Sequence, residues 1–164
     1  MGGVFVFLST LGPIGSRLPA PGTFGTLFGL LFFFHLVFHW NVHPWTIAIF
    51  FFPLFITGIF ICGEAEKVMG QKDPSSVIWD EFVAVPYIFI TIPEEISFQD
   101  GNSSLIWLLL GFILFRFFDI VKPLGINSLQ KVKNGFGVMI DDFLAAAYSA
   151  LSLLALKTFP LSFF

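Results

Sequence analysis

From Leu18 to Gly63, 46 consecutive residues include no Asp, Glu, Lys or Arg. A bilayer core takes a helix of about 20 apolar residues, so this interval holds two spans and a turn. The turn falls at Asn41-Val42-His43-Pro44, which places one helix over Phe24–Trp40 and a second over Trp45–Cys62. Their Trp residues stand where aromatic rings favour the headgroup level. Three further apolar stretches follow: Val77–Ile92 after its opening Asp80-Glu81, Ser104–Val121 up to Arg116 and Asp119, and Met139–Leu156 after its opening Asp141-Asp142. The fold class is therefore an all-α polytopic membrane protein with about five transmembrane or near-transmembrane helices. Ahead of them, Val4–Leu11 is apolar but too short to span, is followed by Gly12-Pro13 and Pro19-Ala20-Pro21-Gly22, and lacks the charged start of a signal peptide. It reads as a short re-entrant or interfacial segment. No repeat and no long linker divides the chain, so residues 1–164 form a single membrane-embedded domain.

Composition closes off other classes. The chain is 56% hydrophobic with 25 phenylalanines, and only 12% of its residues are charged; soluble chains average roughly a quarter charged. Its mean hydropathy of +0.89 also excludes disorder, which needs low hydrophobicity and high net charge. A net charge of −3 without a basic run gives nucleic acid nothing to bind. The lone Cys62 excludes an internal disulfide and a multi-cysteine metal site, and reads as an apolar helix residue.

Five spans alternate sides. Arg17, Lys67, Lys72, Lys122, Lys131 and Lys133, with Arg116 near the same end, then lie on one side and Lys157 alone on the other. The positive-inside rule makes the first side cytoplasmic. On that topology the embedded ionisable residues do not scatter: Asp80 and Glu81, Asp119 with Arg116, and Asp141 and Asp142 all meet at the cytoplasmic face. Charge inside a bilayer is expensive and marks a functional site by default.

Five carboxylates cannot share a small volume as free anions. A divalent metal neutralises them, and an oxygen-only set suits Mg²⁺, with Mn²⁺ or Ca²⁺ as the other hard cations. Arg116, Asp119 and Lys122 follow at intervals of three, so one helical edge carries a carboxylate between two cations before Pro123 ends the helix. Phosphate uses both halves of such a site, bridging to the metal while Arg and Lys neutralise the rest. The turn Gly22-Thr23-Phe24-Gly25-Thr26, at a helix amino terminus, is a candidate phosphate cradle with Arg116 and Lys122. Asn134-Gly135-Phe136-Gly137 is a second glycine turn of this kind, and neither is a Walker A loop. Neighbouring helix residues point about 100° apart. One member of each acidic pair is therefore expected to stand back, with Asp80 and Asp142 favoured in front.

Each feature has a plainer reading: an ion pair for Asp119, helix-dipole complements for the acidic pairs. Convergence on one side weighs against these. His35, His39 and His43 run toward the opposite surface and read as polar helix residues and interface anchors rather than metal ligands. Glu64, Glu66, Lys67, Lys72 and Asp73 read as a solvated loop, with Asp73-Pro74-Ser75-Ser76 also resembling a helix cap. The phenylalanine runs face lipid or pack.

Four motifs in order, Pro21-Gly22-Thr23-Phe24-Gly25-Thr26, Ser76-Val77-Ile78-Trp79-Asp80-Glu81-Phe82, Phe115-Arg116-Phe117-Phe118-Asp119-Ile120-Val121-Lys122-Pro123 and Gly135-Phe136-Gly137-Val138-Met139-Ile140-Asp141-Asp142, together resemble the phosphatidylglycerophosphatase A family. The resemblance runs from about Pro21 to Ala147. It implies a bacterial inner-membrane, Mg²⁺-dependent lipid phosphatase that converts phosphatidylglycerophosphate to phosphatidylglycerol and phosphate in phospholipid biosynthesis. Carried across on those motifs, Asp80, Glu81, Asp119, Asp141 and Asp142 are the catalytic and metal-holding carboxylates. Thr23, Arg116 and Lys122 are the implied phosphate partners. Asn134 departs from the glycine usual in the family at that point.

Two routes stay open at this stage, attack by water and an aspartyl-phosphate intermediate. Cysteine chemistry is excluded because Val68 stands where Cys-x5-Arg would need arginine. The Asp-x-Asp nucleophile motif and the histidine pair of type-2 phosphatidic acid phosphatases are missing too. So is the Asp-Gly-x2-Ala-Arg run of CDP-alcohol phosphotransferases. The alternative from another class is a transporter or channel using intramembrane carboxylates. The expected partners are phosphatidylglycerophosphate and bilayer lipid.

Overall fold

The computed structural model describes residues 2–96, 101–123, 125–129, 132 and 135–159. Among them the regular elements are all helical: α1 (Gly2–Ser9), α2 (Ile14–Arg17), α3 (Pro21–Phe38), α4 (Pro44–Met69), α5 (Trp79–Ile88), α6 (Gly101–Val121), α7 (Ile126–Leu129) and α8 (Phe136–Thr158). Lys131, Lys133 and Asn134, used above for topology and loop conformation, lie outside the described residues.

Four of these helices, α3, α4, α6 and α8, are long and apolar enough to cross a membrane. The chain is thus an all-α membrane protein. The fifth expected span is a near-span: α5 has ten residues, about 15 Å of helix. Pro86 lies inside it and the helix ends two residues later, at Ile88. The chain continues without helix through Phe89, Ile92 and Ile96, all fully buried. Irregular backbone at membrane depth is tolerated where protein covers it. The Thr91 hydroxyl, donating to the Ala150 carbonyl at 2.7 Å, ties that stretch to α8.

Helix boundaries differ from the sequence reading in two places. Proline at the first helical position starts α3 at Pro21 rather than Phe24. The second span continues past Cys62 to Met69, where Gly70 at φ 64° closes it in the left-handed conformation. Glu64, Glu66 and Lys67 therefore lie on helix, not in a loop, and Lys67 pairs with Glu64 at 2.6 Å across one turn. Only Lys72 and Asp73 of that group lie in the loop that follows.

α5 is the axis of the bundle: every residue from Asp80 to Ile88 is buried, with α3, α4 and α8 packed against it. In lipid, apolar side chains gain little by leaving the bilayer for the protein. Association comes instead from close packing and from hydrogen bonds worth roughly 0.6–2 kcal/mol each. Both devices are present. A Cβ on Gly25 would sit 2.8 Å from the Ile78 side chain and one on Gly29 3.0 Å from the Phe82 carbonyl, so α3 reaches α5 at backbone distance. The Trp79 indole N–H donates to the Leu54 carbonyl at 3.3 Å and the Tyr87 hydroxyl to that of Ala48 at 3.1 Å, pinning α5 to α4. Outward-facing Ile49, Phe50, Phe52, Phe60, Leu109 and Ile113 are exposed, as lipid-facing side chains should be.

The amino-terminal segment is too short to span. Phe5 of α1 meets Phe60 of α4 edge-on, with ring centroids 5.4 Å apart. The Ser9 carbonyl accepts from the Ile78 N–H at 2.9 Å, bracing the segment that enters α5. Alternating direction brings the starts of α3, α5 and α8 and the ends of α4 and α6 to one end of the bundle. At the other end, His35 and His39 stack with centroids 4.8 Å apart, and His43 accepts the Trp45 N–H at 3.3 Å.

Candidate active site

A cavity of about 390 Å³ opens where those helix ends meet, and its wall includes Gly22, Asp80, Glu81, Arg116, Asp119, Lys122, Asp141 and Asp142. Three elements deliver its acids. Asp80 and Glu81 occupy the first turn of α5, where free N–H groups favour carboxylates. Asp119 is on the last turns of α6, and Asp141 and Asp142 are on the second turn of α8.

Oxygens of Asp80, Glu81 and Asp142 lie within 4.8 Å of one another, and all three residues are buried. Of the α5 pair, both members join this group, so neither stands back as the helical angle between neighbours had suggested. The α8 pair divides. Asp142 joins the group, whereas Asp141 forms an ion pair with Lys122. Burial works against the Lys122 charge, but its hydrogen bond and attraction to Asp141 outweigh that and raise its pKa above the usual lysine value.

Asp119 sits between two cations as its spacing suggested: Arg116 approaches at 2.7 Å and Lys122 at 3.9 Å. The same guanidinium lies 3.9 Å from Glu81 and donates to the Thr26 hydroxyl at 3.4 Å. Gly22 makes this crossing possible, since a Cβ there would stand 2.3 Å from Glu81 Oε1 and 3.2 Å from both terminal nitrogens of Arg116.

Six acidic residues, these five and Asp73 from the loop before α5, thus line the cavity with two cations, and their buried oxygens are not all satisfied. Asp80 Oδ1, Glu81 Oε2 and Asp141 Oδ1 have no hydrogen-bond partner, and neither has Arg116 Nε. Leaving ionised carboxylates buried and unpaired costs several kcal/mol each. A hard divalent cation among Asp80, Glu81 and Asp142 removes that cost, and the all-oxygen donor set fits Mg²⁺ better than zinc. Arg116 itself lines the cavity as one of its two cations.

The glycine turn divides. Gly22 lines the cavity, but Thr23, Gly25 and Thr26 do not. Gly25 packs on Ile78, and the Thr26 hydroxyl donates to the Gly22 carbonyl at 2.9 Å while holding Arg116. Asp73, Pro74 and Ser75, read from the sequence as solvated loop or helix cap, form part of the wall. Their signal was position, a turn just ahead of the acidic start of α5. Ala20, Asp73 and Lys122, three wall residues, have left-handed backbones at φ 54°, 46° and 47°. Such conformations cost of order 1–3 kcal/mol in non-glycine residues and cluster at functional sites.

Comparison with known proteins gives one family. The model of the family described as phosphatidylglycerophosphatase A matches residues 7–157. A Haemophilus influenzae protein named phosphatidylglycerophosphatase A is 39% identical over 160 residues, 92% of each chain. The Escherichia coli protein of that name is 33% identical over 88% of this chain and 75% of its own. A Bacteroides thetaiotaomicron protein named putative phosphatidylinositol-3-phosphatase is 37% identical over 79% of each. No solved structure matches the chain.

Proposed function

The chain belongs to the phosphatidylglycerophosphatase A family, whose model covers residues 7–157, and from that premise we propose that it removes the terminal phosphate of phosphatidylglycerophosphate. The products are phosphatidylglycerol and inorganic phosphate, a step of phospholipid biosynthesis at the cytoplasmic face of a bacterial inner membrane. The observation that carries the reading is the cavity in which six acidic residues, among them Asp119 paired with Arg116 and Asp141 paired with Lys122, converge at one end of a membrane bundle. A headgroup can enter there while its acyl chains stay in lipid. An ion path would instead need acids through the membrane depth, and Glu95 on another stretch of the chain is already paired with Lys157.

In this mechanism Asp80, Glu81 and Asp142 would hold Mg²⁺. When bound, the ion neutralises phosphoryl charge and lowers the pKa of water. Arg116, oriented by Asp119 and Thr26, lines the cavity and supplies its guanidinium charge to phosphoryl oxygens. Lys122, held charged by Asp141, adds a second cation where charge develops. Water attacks phosphorus, the bond from phosphorus to the glycerol oxygen breaks, a carboxylate of the cluster accepts the water proton, and the same proton passes to the departing glycerol alkoxide, which leaves the carboxylate ionised again. A phosphoenzyme sensitive to hydroxylamine would replace water with an aspartate as the attacking group.

The test is phosphate release from phosphatidylglycerophosphate by the purified chain in detergent, with Mg²⁺ and with chelator, beside Asp119→Asn. Metal-dependent release lost in the variant is the expected result. Release from phosphatidylinositol 3-phosphate instead would reassign the headgroup. No release from any lipid phosphomonoester by folded protein would overturn the reading.

A further inference from the structure

Glu66 is outside the cavity wall, on the last turns of α4, yet its two carboxylate oxygens are divided between a loop that forms part of that wall and the residue that precedes α8. Oε1 accepts the backbone N–H of Asp73 at 2.8 Å, and Oε2 accepts the backbone N–H of Gly135 at 3.3 Å. These partners lie 7 and 69 residues away in sequence. Both have left-handed backbones, Asp73 at φ 46° and Gly135 at φ 70°.

Each partner leads directly to site residues. Asp73 begins the Asp73-Pro74-Ser75 part of the wall. Gly135 is the residue before α8, which carries Asp141 and Asp142 on its second turn. Its backbone lies directly on α4: a Cβ there would stand 2.2 Å from the Ile59 carbonyl oxygen and 2.4 Å from the Gly63 nitrogen. Glu66 follows Gly63 by one helical turn, so one carboxylate closes both junctions. Hydrogen bonds to an ionised acceptor are about twice as strong as neutral ones. No lysine or arginine pairs with Glu66 among the described residues.

We propose that Glu66 is a positioning residue that clamps the Asp73 loop to the start of α8 and so fixes the distance between two walls of the cavity. Its kinetic consequence rests on the phosphatase reading; the clamp itself does not. Asp73 and Gly135 are in contact with the same side chain, so loss of that side chain should loosen both segments together. The neighbouring Glu64, paired only with Lys67 at the surface, should not be coupled to either.

The experiment compares Glu66→Ala, Glu66→Gln and Glu64→Ala in the full-length chain in detergent. Backbone hydrogen exchange is followed by mass spectrometry, and kcat and KM for phosphatidylglycerophosphate are measured on the same preparations. Glu66→Ala should speed exchange about tenfold or more in the peptides covering residues 71–76 and 135–140 together. It should also lower kcat about tenfold while KM moves less than about threefold. Glu66→Gln, which retains one acceptor oxygen, should restore part of both effects, and Glu64→Ala should change neither. Unchanged exchange in either peptide, acceleration spread over the whole chain, or full kcat with loosened loops would each overturn the proposal. If exchange behaves as expected in a chain whose wild type releases no phosphate, the clamp stands and only the substrate assignment fails.

Discussion

The two ends of this bundle each carry an ion pair, and the contrast between them separates structure from chemistry. In one region Glu95 meets Lys157 at 2.6 Å, one anion against one cation. The Glu95 carbonyl also accepts the Ser104 hydroxyl at 3.0 Å. The charges there balance one to one, although Glu95 Oε2 is itself buried without a hydrogen-bond partner. In the other region Arg116 and Lys122 face six acidic residues around a cavity, and three of those residues retain a buried oxygen without a partner. A folding device does not need surplus buried charge, because replacing it with apolar side chains is commonly neutral or stabilising. Surplus charge beside open volume is what a ligand of opposite charge resolves.

The largest effect should come from removing surplus charge. Asp142→Asn keeps the shape of a residue in the buried trio, and phosphate release should fall on the order of 10³-fold. Without metal, its melting temperature should equal or exceed that of wild type, because a repelling charge has gone. A variant that is both inactive and less stable in chelator would erase the distinction between the two ends. Chelation of the wild type is the next test. A cation held only by the folded trio should raise stability by about 2.7 kcal/mol at a hundredfold excess over its Kd. Thermal melts with and without Mg²⁺ read this directly, and Asp142→Asn should lose most of the shift.

Gly22→Ala should have a smaller effect and sharpen the contrast within the site. The added methyl would meet the mobile ends of Glu81 and Arg116, at 2.3 and 3.2 Å, rather than backbone. Those side chains can shift at little cost to folding, but they leave the geometry that the reaction uses. kcat/KM should fall about 10–100-fold with a melting temperature close to wild type. A large loss of stability with normal activity per folded molecule would place Gly22 among the packing glycines, alongside Gly25 and Gly29.

How much of this was legible in the chain follows from what each kind of signal encodes. Burial in lipid is a property of long runs, so the charge-free interval before Glu64 marked two spans directly. Alternation of spans then brought Asp80, Glu81, Asp119, Asp141 and Asp142 to one end, and the threefold spacing put Asp119 between Arg116 and Lys122, where the structure has it. Less legible were features that depend on close three-dimensional approach. Glycines at 22, 25 and 29 look alike in sequence, but only Gly22 reaches the cavity; the other two face Ile78 and Phe82. Glu66 resembled its charged neighbours Glu64 and Lys67. Its distinct use depends on Gly135, 69 residues away, coming to its carboxylate.

Lys157→Met tests the balanced end and should produce the smallest change. Lys157 keeps 37% of its side chain exposed, against 19% for Glu95, so solvent screens much of the pair. A loss of up to about 1 kcal/mol is expected, as for exposed ion pairs. The substitution leaves Glu95 partly buried without its cation, which sets the direction as destabilising. Phosphate release per folded molecule should stay within about twofold of wild type, since Lys157 is not among the residues that line the acidic cavity. Thermal melting and specific activity of the same detergent preparation measure both quantities. A strong loss of activity at unchanged stability would mean that charge at the Glu95 end communicates with the catalytic end, and the two regions would have to be treated as one functional unit.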